Sequence, residues 1–291
     1  MEEILSILEK GPLTGRELYE LTGIEIFELW RRCNSEDLTI KKVGRHYLRF
    51  DKDVEGYARL SPAIQREFLT YSVIGLKKDE AKVRQKARKL SLEIKKISRR
   101  KFKLAKNAVA EIAKKLTGVQ TQTCFIIGGD VAVGMAHDNP RPERSTGELV
   151  AGSDLDIIVI TRDDFSGLKK LDEAIYEIKA VLLKQPCKEE IDYIIKSLSR
   201  VAEQAKFDTF EHIVACKIMN EAKFFYGSKG IYRQVLRILK ENSVPKKLKK
   251  LEKTAIEKRG EAEKYLLKKS AISEEEYMKL FTTTEEFSEI F

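Results

Sequence analysis

The sequence predicts a mixed α/β chain, with a small mixed sheet near its centre, short helices and strands before it and a helical segment after it. Three observations carry this. Strand-like and helix-like patterns alternate from "TQTCFIIGG" through "DLDIIVI" to "KEEIDYIIKSL", the order that builds a layered α/β sheet. Three short helical patterns open the chain and give way to strand-like segments. From Ser199 onward the pattern is almost wholly helical.

At the N-terminus, Glu2 to Lys10 reads as a short helix, "GPLTGRELYELTG" as a turn and a second helix, and "IEIFELWRRC" as a third. "LTIKKVGRHYLRF" then reads as two strands about a Gly44-Arg45 turn. "YARLSPAIQREFLTYSVIGL" has apolar and aromatic residues at helical spacing with Pro62 near a first turn, and predicts a core helix. Asp79 to Leu116 contains no proline or glycine and predicts one helix of up to ~55 Å, or two joined helices. The expected segments are 1–56, a helical basic connector at 57–117, the central sheet at 118–200 and a helical domain at 201–291.

The 291 residues hold 55 Lys and Arg against 46 Asp and Glu, a formal +9. Between Lys77 and Lys115 there are sixteen basic residues and four acids, so the positive field is regional. Such a field favours phosphate-bearing partners, although a basic helix face also serves solubility alone. No apolar run approaches the ~20 residues that cross a bilayer. The acidic opening "MEEILSILEK" is unlike a secretory signal, so the expected location is the cytoplasm, with no membrane partner. Cys33, Cys124, Cys187 and Cys216 are widely spaced and read as buried small hydrophobes rather than ligands or a disulfide framework.

The chemistry-bearing motif is "VAGSDLDIIVI". Side chains alternate along a strand, so Asp154 and Asp156 share a face while Leu155, Ile157 and Val159 take the other. Two carboxylates held close on a rigid face repel each other, and a divalent cation removes that penalty. Oxygen-rich surroundings without histidine suit Mg²⁺ or Mn²⁺. In "EEIDYII", Asp192 shares a face with Glu190 and Ile194, and a strand placed beside "DLDIIVI" would bring a third carboxylate to the pair. Gly128 and Gly129 end one strand and open a helix, where backbone amides can approach phosphates.

These residues together, from 121 to 196, resemble the catalytic core of the DNA polymerase β nucleotidyltransferase superfamily. The resemblance implies Mg²⁺-dependent transfer of a nucleotide from a nucleoside triphosphate to a hydroxyl. It implies that Asp154 and Asp156 ligate two metals, that Asp192 helps bind the one activating the hydroxyl, and that Gly128, Gly129 and Ser153 face the nucleotide. "EAKFFYGSKGIYRQVLRIL" is similar to a stretch that follows the third acid in several nucleotidyltransferases. Asp130 stands where many relatives carry a serine, and the interval to Ser153 is about twice the family's. Its loop, residues 138–152, reads either as an ordered substrate contact through Arg141 and Arg144 or as a floppy insertion, which its length slightly favours.

The three N-terminal helices and the expected hairpin resemble a winged helix-turn-helix domain. Its third helix leads with Glu25 and Glu28, which repel phosphates, so Lys41, Lys42 and Arg45 of the hairpin are the better nucleic-acid contacts. The basic stretches, including Lys246 to Lys269, favour RNA or DNA as acceptor, with tRNA-like ends a reasonable choice. A protein or small-molecule acceptor, and a non-catalytic regulator on the same scaffold, remain alternatives, and a homo-oligomer is compatible with the sequence. His137 reads as a loop-edge surface residue, His46 and His212 as lacking clustered ligands, and Trp30 as core.

Overall fold

The computed structural model describes residues 1–143, 147–184, 186, 188–284 and 286–287. Arg144, Cys187 and most of the acidic tail lie outside the described residues. The chain is mixed α/β with small sheets, and no helix among the described residues is long and apolar enough to cross a membrane. It divides into two compact units, Met1–Glu93 with Glu252–Ile290, and Ile94–Leu251. Where four consecutive segments were expected, the C-terminal segment is shared between the units.

The first unit opens with helices α1 (Glu2–Leu8), α2 (Gly15–Thr22) and α3 (Ile26–Cys33), with strand β1 (Leu13–Thr14) between the first two. Thr14 and Glu17 form a reciprocal capping box at the start of α2, which satisfies amide groups the helix cannot pair internally. Strands β2 (Leu38–Lys42) and β3 (Tyr47–Phe50) flank the Gly44-Arg45 turn but do not pair with each other. Instead β3 pairs with β4 (Ala58–Ser61), from Tyr47↔Ser61 to Phe50↔Ala58. β2 pairs with β5 (Ser72–Leu76), from Leu38↔Leu76 to Lys42↔Ser72, in a three-stranded sheet ordered β1-β5-β2.

The expected core helix shrinks accordingly to α4 (Ile64–Tyr71), which is buried along its whole length. The flanking segments are strands because both find partners. The β-branched Val73 and Ile74 are fully buried with a strand on either side. Residues from the C-terminal part complete this core. Phe281 meets Phe27 and Trp30 with ring centroids 5.4 Å from each. Glu286, wholly buried, accepts from the Ala63 amide at 2.6 Å and pairs with Arg49 at 3.2 Å.

Helix α5 (Glu80–Lys115) is one continuous helix, and the boundary between the units falls within it. In the second unit it is followed by α6 (Val119–Gln122), β6 (Thr123–Ile127), α7 (Gly129–Val133) and the short strands β7 (Arg141–Pro142) and β8 (Leu149–Val150). Then come β9 (Leu155–Thr161), α8 (Leu168–Lys184), β10 (Ile191–Ser197), α9 (Leu198–Gln204), α10 (Phe210–Glu221), β11 (Lys223–Gly227), α11 (Lys229–Glu241) and α12 (Val244–Leu267). The sheet order is β10-β9-β6-β11, with β9 and β10 parallel and β6 antiparallel to both neighbours.

β11 interrupts the helical pattern expected after Ser199. Its "KFFYG" is aromatic enough to join a sheet edge, and Phe225 enters the core with Phe125, Leu155, Ile157, Val159 and Ile191. Cys33, Cys124 and Cys216 are buried free thiols, as expected. Burial pushes those of Cys33 and Cys124 up to about 12.

Candidate active site

The odd-numbered residues of β9, Leu155, Ile157 and Val159, fill the core of the second unit. The opposite face begins at Asp156 and continues with buried Ile158 and Ile160. Strand pleating thus puts a carboxylate at the rim of an otherwise apolar surface. In the parallel pair with β10, Asp192 is the register partner of Asp156. Adjacent residues of paired strands present side chains to the same face, so β10 brings the third acid alongside the first two. Asp192 is exposed on an edge strand, while Asp156 is only partly accessible.

The glycine pair lies against these acids. The Gly128 amide donates to the Asp156 carbonyl at 2.8 Å, which ties the start of α7 to β9. Gly129 has φ +56, and a Cβ there would overlap the Asp156 carboxylate. Both the left-handed backbone and the close approach therefore require glycine.

Asp130, the first residue beyond the pair, is a fourth acid of the site. The Ser153 hydroxyl donates to its Oδ2 at 2.9 Å and accepts from the His137 amide at 3.2 Å, while the Ser153 amide donates to the His137 carbonyl at 3.0 Å. Ser153, expected to face a nucleotide, is buried and has its one hydroxyl proton committed to Asp130. His137, expected at the surface, is buried beneath this turn.

Electrostatics set the acids apart. Burial pushes the Asp156 carboxyl well above its usual range, and the charges of Asp154, Asp130 and Asp192 push further against the pull of the Lys217 ammonium. For Asp154, burial raises the carboxyl, Arg141 opposes it, and Asp130 and Asp192 add to the rise. Sequence reasoning missed Asp130 and Lys217 as site residues. Asp130 was signalled by its place beside the glycines, whereas Lys217 lies on α10 and reaches the site only through the fold.

Arg141 is corrected from a substrate contact to an internal strut. It is buried, pairs with Glu190 at 2.8 Å and Asp154 at 3.6 Å, and donates from Nε to the Gly152 carbonyl at 2.8 Å. Below it, Lys101 is wholly buried, donates to the Ala151 carbonyl at 2.7 Å and pairs with Glu189. Lys42 is exposed and pairs with Glu67 at 2.7 Å and Glu263 at 3.2 Å within the first unit. Lys41 and Arg45 are exposed, and with Lys42 they belong to the first unit rather than to the unit holding the acids. Arg144 lies outside the described residues.

The donors gathered here are oxygens: four aspartates and a serine hydroxyl, with no cysteine and no imidazole among them. That set fits a hard divalent cation such as Mg²⁺ or Mn²⁺, and the raised carboxyls are the cost such a cation would offset. Among the described residues, no three His, Cys, Asp or Glu side chains already close into ligand geometry. Compared with known proteins, the chain matches no family model and no curated protein.

Proposed function

We propose that the second unit is a divalent-cation-dependent nucleotidyltransferase of the polymerase β type, acting on a nucleoside triphosphate and a hydroxyl carried by a nucleic acid. The observation that carries this reading is the register pairing of Asp192 with Asp156, with Asp154 two residues before it and the Gly128-Gly129 turn against the same carboxylate. Asp154 and Asp156 would hold the cations, with Asp192 completing the set on the open edge. Bound there, the cations would supply charge neutralisation on the phosphates and a more acidic acceptor hydroxyl.

The residues of the chain do the rest. In this reading the turn into α7 would approach the phosphates, and Asp192, the exposed acid, would meet the acceptor. In the transfer, the acceptor oxygen bonds to the α-phosphorus, the bond from that phosphorus to the β-phosphate oxygen breaks, pyrophosphate leaves and the hydroxyl proton passes to a site carboxylate. Ser153 and Arg141 orient Asp130 and Asp154.

The first unit, with helices α1 to α3 and a sheet ordered β1-β5-β2, supports a winged-helix reading in which the chain between β2 and β5 is an enlarged wing. Asp130 favours a second reading. A fourth negative charge beside the glycines opposes a triphosphate, as expected of a scaffold that has kept the fold as a non-catalytic regulator. Incubation with α-labelled triphosphates, Mg²⁺ and separate RNA, DNA and protein pools decides between them. The transferase labels the nucleic acid and loses that activity as Asp154→Asn or Asp156→Asn, whereas label in no pool, with binding retained by both variants, supports the regulator.

A further inference from the structure

Residues 94–251 hold 30 Lys and Arg against 20 Asp and Glu, while the remainder of the chain holds 25 against 26. The whole net charge thus lies in the unit that contains the acidic site. Within it, no Asp or Glu occurs between Glu93 and Glu111, and Lys95, Lys96, Arg99, Lys103 and Lys106 all fall in that stretch of α5.

At 100° per residue these five cations occupy about a 100° stripe and are exposed. The opposite face, Ile94, Ser98, Lys101, Ala105, Val109 and Ile112, is buried. None of the five has an ion pair among the described residues. Elsewhere on α5 some exposed cations are answered locally, Arg84 by Glu80 at 2.7 Å and Lys114 by Glu111 at 2.6 Å, while Arg88, Lys89 and Lys115 have no ion pair among the described residues. Like charges four residues apart, as at Lys95, Arg99 and Lys103, destabilise an isolated helix by ~0.2–0.5 kcal/mol per pair. A solubility face needs no such acid-free run, and interspersed acids would remove the cost.

The buried face and one flank of the same helix pack against the loop beside the acids. The Ser98 hydroxyl accepts from the Ala136 amide at 3.1 Å, Arg100 pairs with Asp138 at 2.6 Å, and Lys101 donates to the Ala151 carbonyl. Those residues are chain neighbours of His137 and Ser153, and the Ser153 hydroxyl donates to Asp130 on α7.

We infer that the Lys95–Lys106 stripe is the track on which the nucleic-acid acceptor lies, its phosphates answering cations that the protein leaves unanswered. This deepens, and rests on, the transferase reading. Lys95 to Lys106 spans ~16 Å along the helix axis, the length of several consecutive phosphates. The recognition is of backbone charge and carries no base preference.

The test measures binding of the full chain to a fluorescent 20-nucleotide single-stranded RNA between 50 and 300 mM salt, without triphosphate. Replacing Lys95, Arg99 and Lys103 together by Gln should weaken binding at least ten-fold at 100 mM salt and reduce the slope of log K against log salt by ~2, since each single-strand phosphate contact contributes ~0.7. Helix content should be kept and the melting temperature unchanged or slightly raised, because all three side chains are in solvent and two like-charge pairs are removed. An unaltered slope and affinity would overturn the track. So would competition by poly-glutamate as effective as by RNA, which would indicate an acidic protein partner. Lys169→Gln, an exposed lysine outside the stripe and the site, must keep the wild-type slope. Stripe-dependent binding without nucleotide transfer would remove the transferase reading alone, and transfer without stripe dependence would remove the track alone.

Discussion

The Cα of Gly129 lies against the carboxylate of Asp156, so close that the smallest side chain would overlap it. Gly129→Ala would have to move either the turn or the acid, and would add ~1–2 kcal/mol of left-handed backbone strain. Transfer activity should fall at least ~100-fold, since displacements near 1 Å cost that much in catalytic geometry. Any stabilisation of the protein by Mg²⁺ in a thermal melt should fall with it. Wild-type activity in this variant would show that the turn does not set the acid's position.

Asp154 and Asp156 are held above their usual carboxyl range, so each opposes folding while ionised. Asp156→Asn removes one repelling charge and should raise the melting temperature at pH 7 in the absence of divalent ions. In the proposed reading millimolar Mg²⁺ should stabilise the wild type, and the same variant should lose that stabilisation. A lower melting temperature in chelator would contradict the repulsion.

Lys101 and Glu189 form a buried pair beneath the site loop. Breaking it by Lys101→Met should cost up to ~3–5 kcal/mol, because it leaves the buried Glu189 with only the half-exposed Arg100 guanidinium at 3.2 Å. Replacing both, with Glu189→Leu, should recover much of that loss, which urea midpoints would measure. Equal losses in the single and double variants would show that Lys101 acts through the Ala151 carbonyl instead.

Glu67 gives the first unit an acid-sensitive point. Burial pushes its carboxyl up, but the His46 ring, Arg259 and Lys42 outweigh that and hold it at about 2, below the ordinary 4.5. A depressed carboxyl contributes stability that is fully present above its unfolded value. That stability, on the order of 3 kcal/mol by linkage, should therefore drain away as the pH falls from about 4.5 to about 2. Glu67→Gln should be less stable at pH 7, and its stability should fall less over that interval.

Much of this protein was legible from its sequence because local patterns report local geometry. The alternation of "DLDIIVI" put Asp154 and Asp156 on one face and their apolar neighbours on the other. The spacing of apolar residues gave α1 to α3 and α5. Where patterns failed, a partner distant in the chain decided the outcome. "LTIKK" and "YLRF" looked like one hairpin, yet β5 and β4 offered each a better neighbour. Phe224 and Phe225 read as helix until β6 supplied an edge.

The sequence by itself determined which residues carry the charge, the oily strands and the glycine turn, since composition and period are properties of neighbours along the chain. Only the tertiary structure decided that Asp192 stands beside Asp156, that Asp130 joins them, and that Arg141 and Ser153 face inward as supports. Those relations depend on strand pairing and burial between residues tens of positions apart, and no local period encodes them.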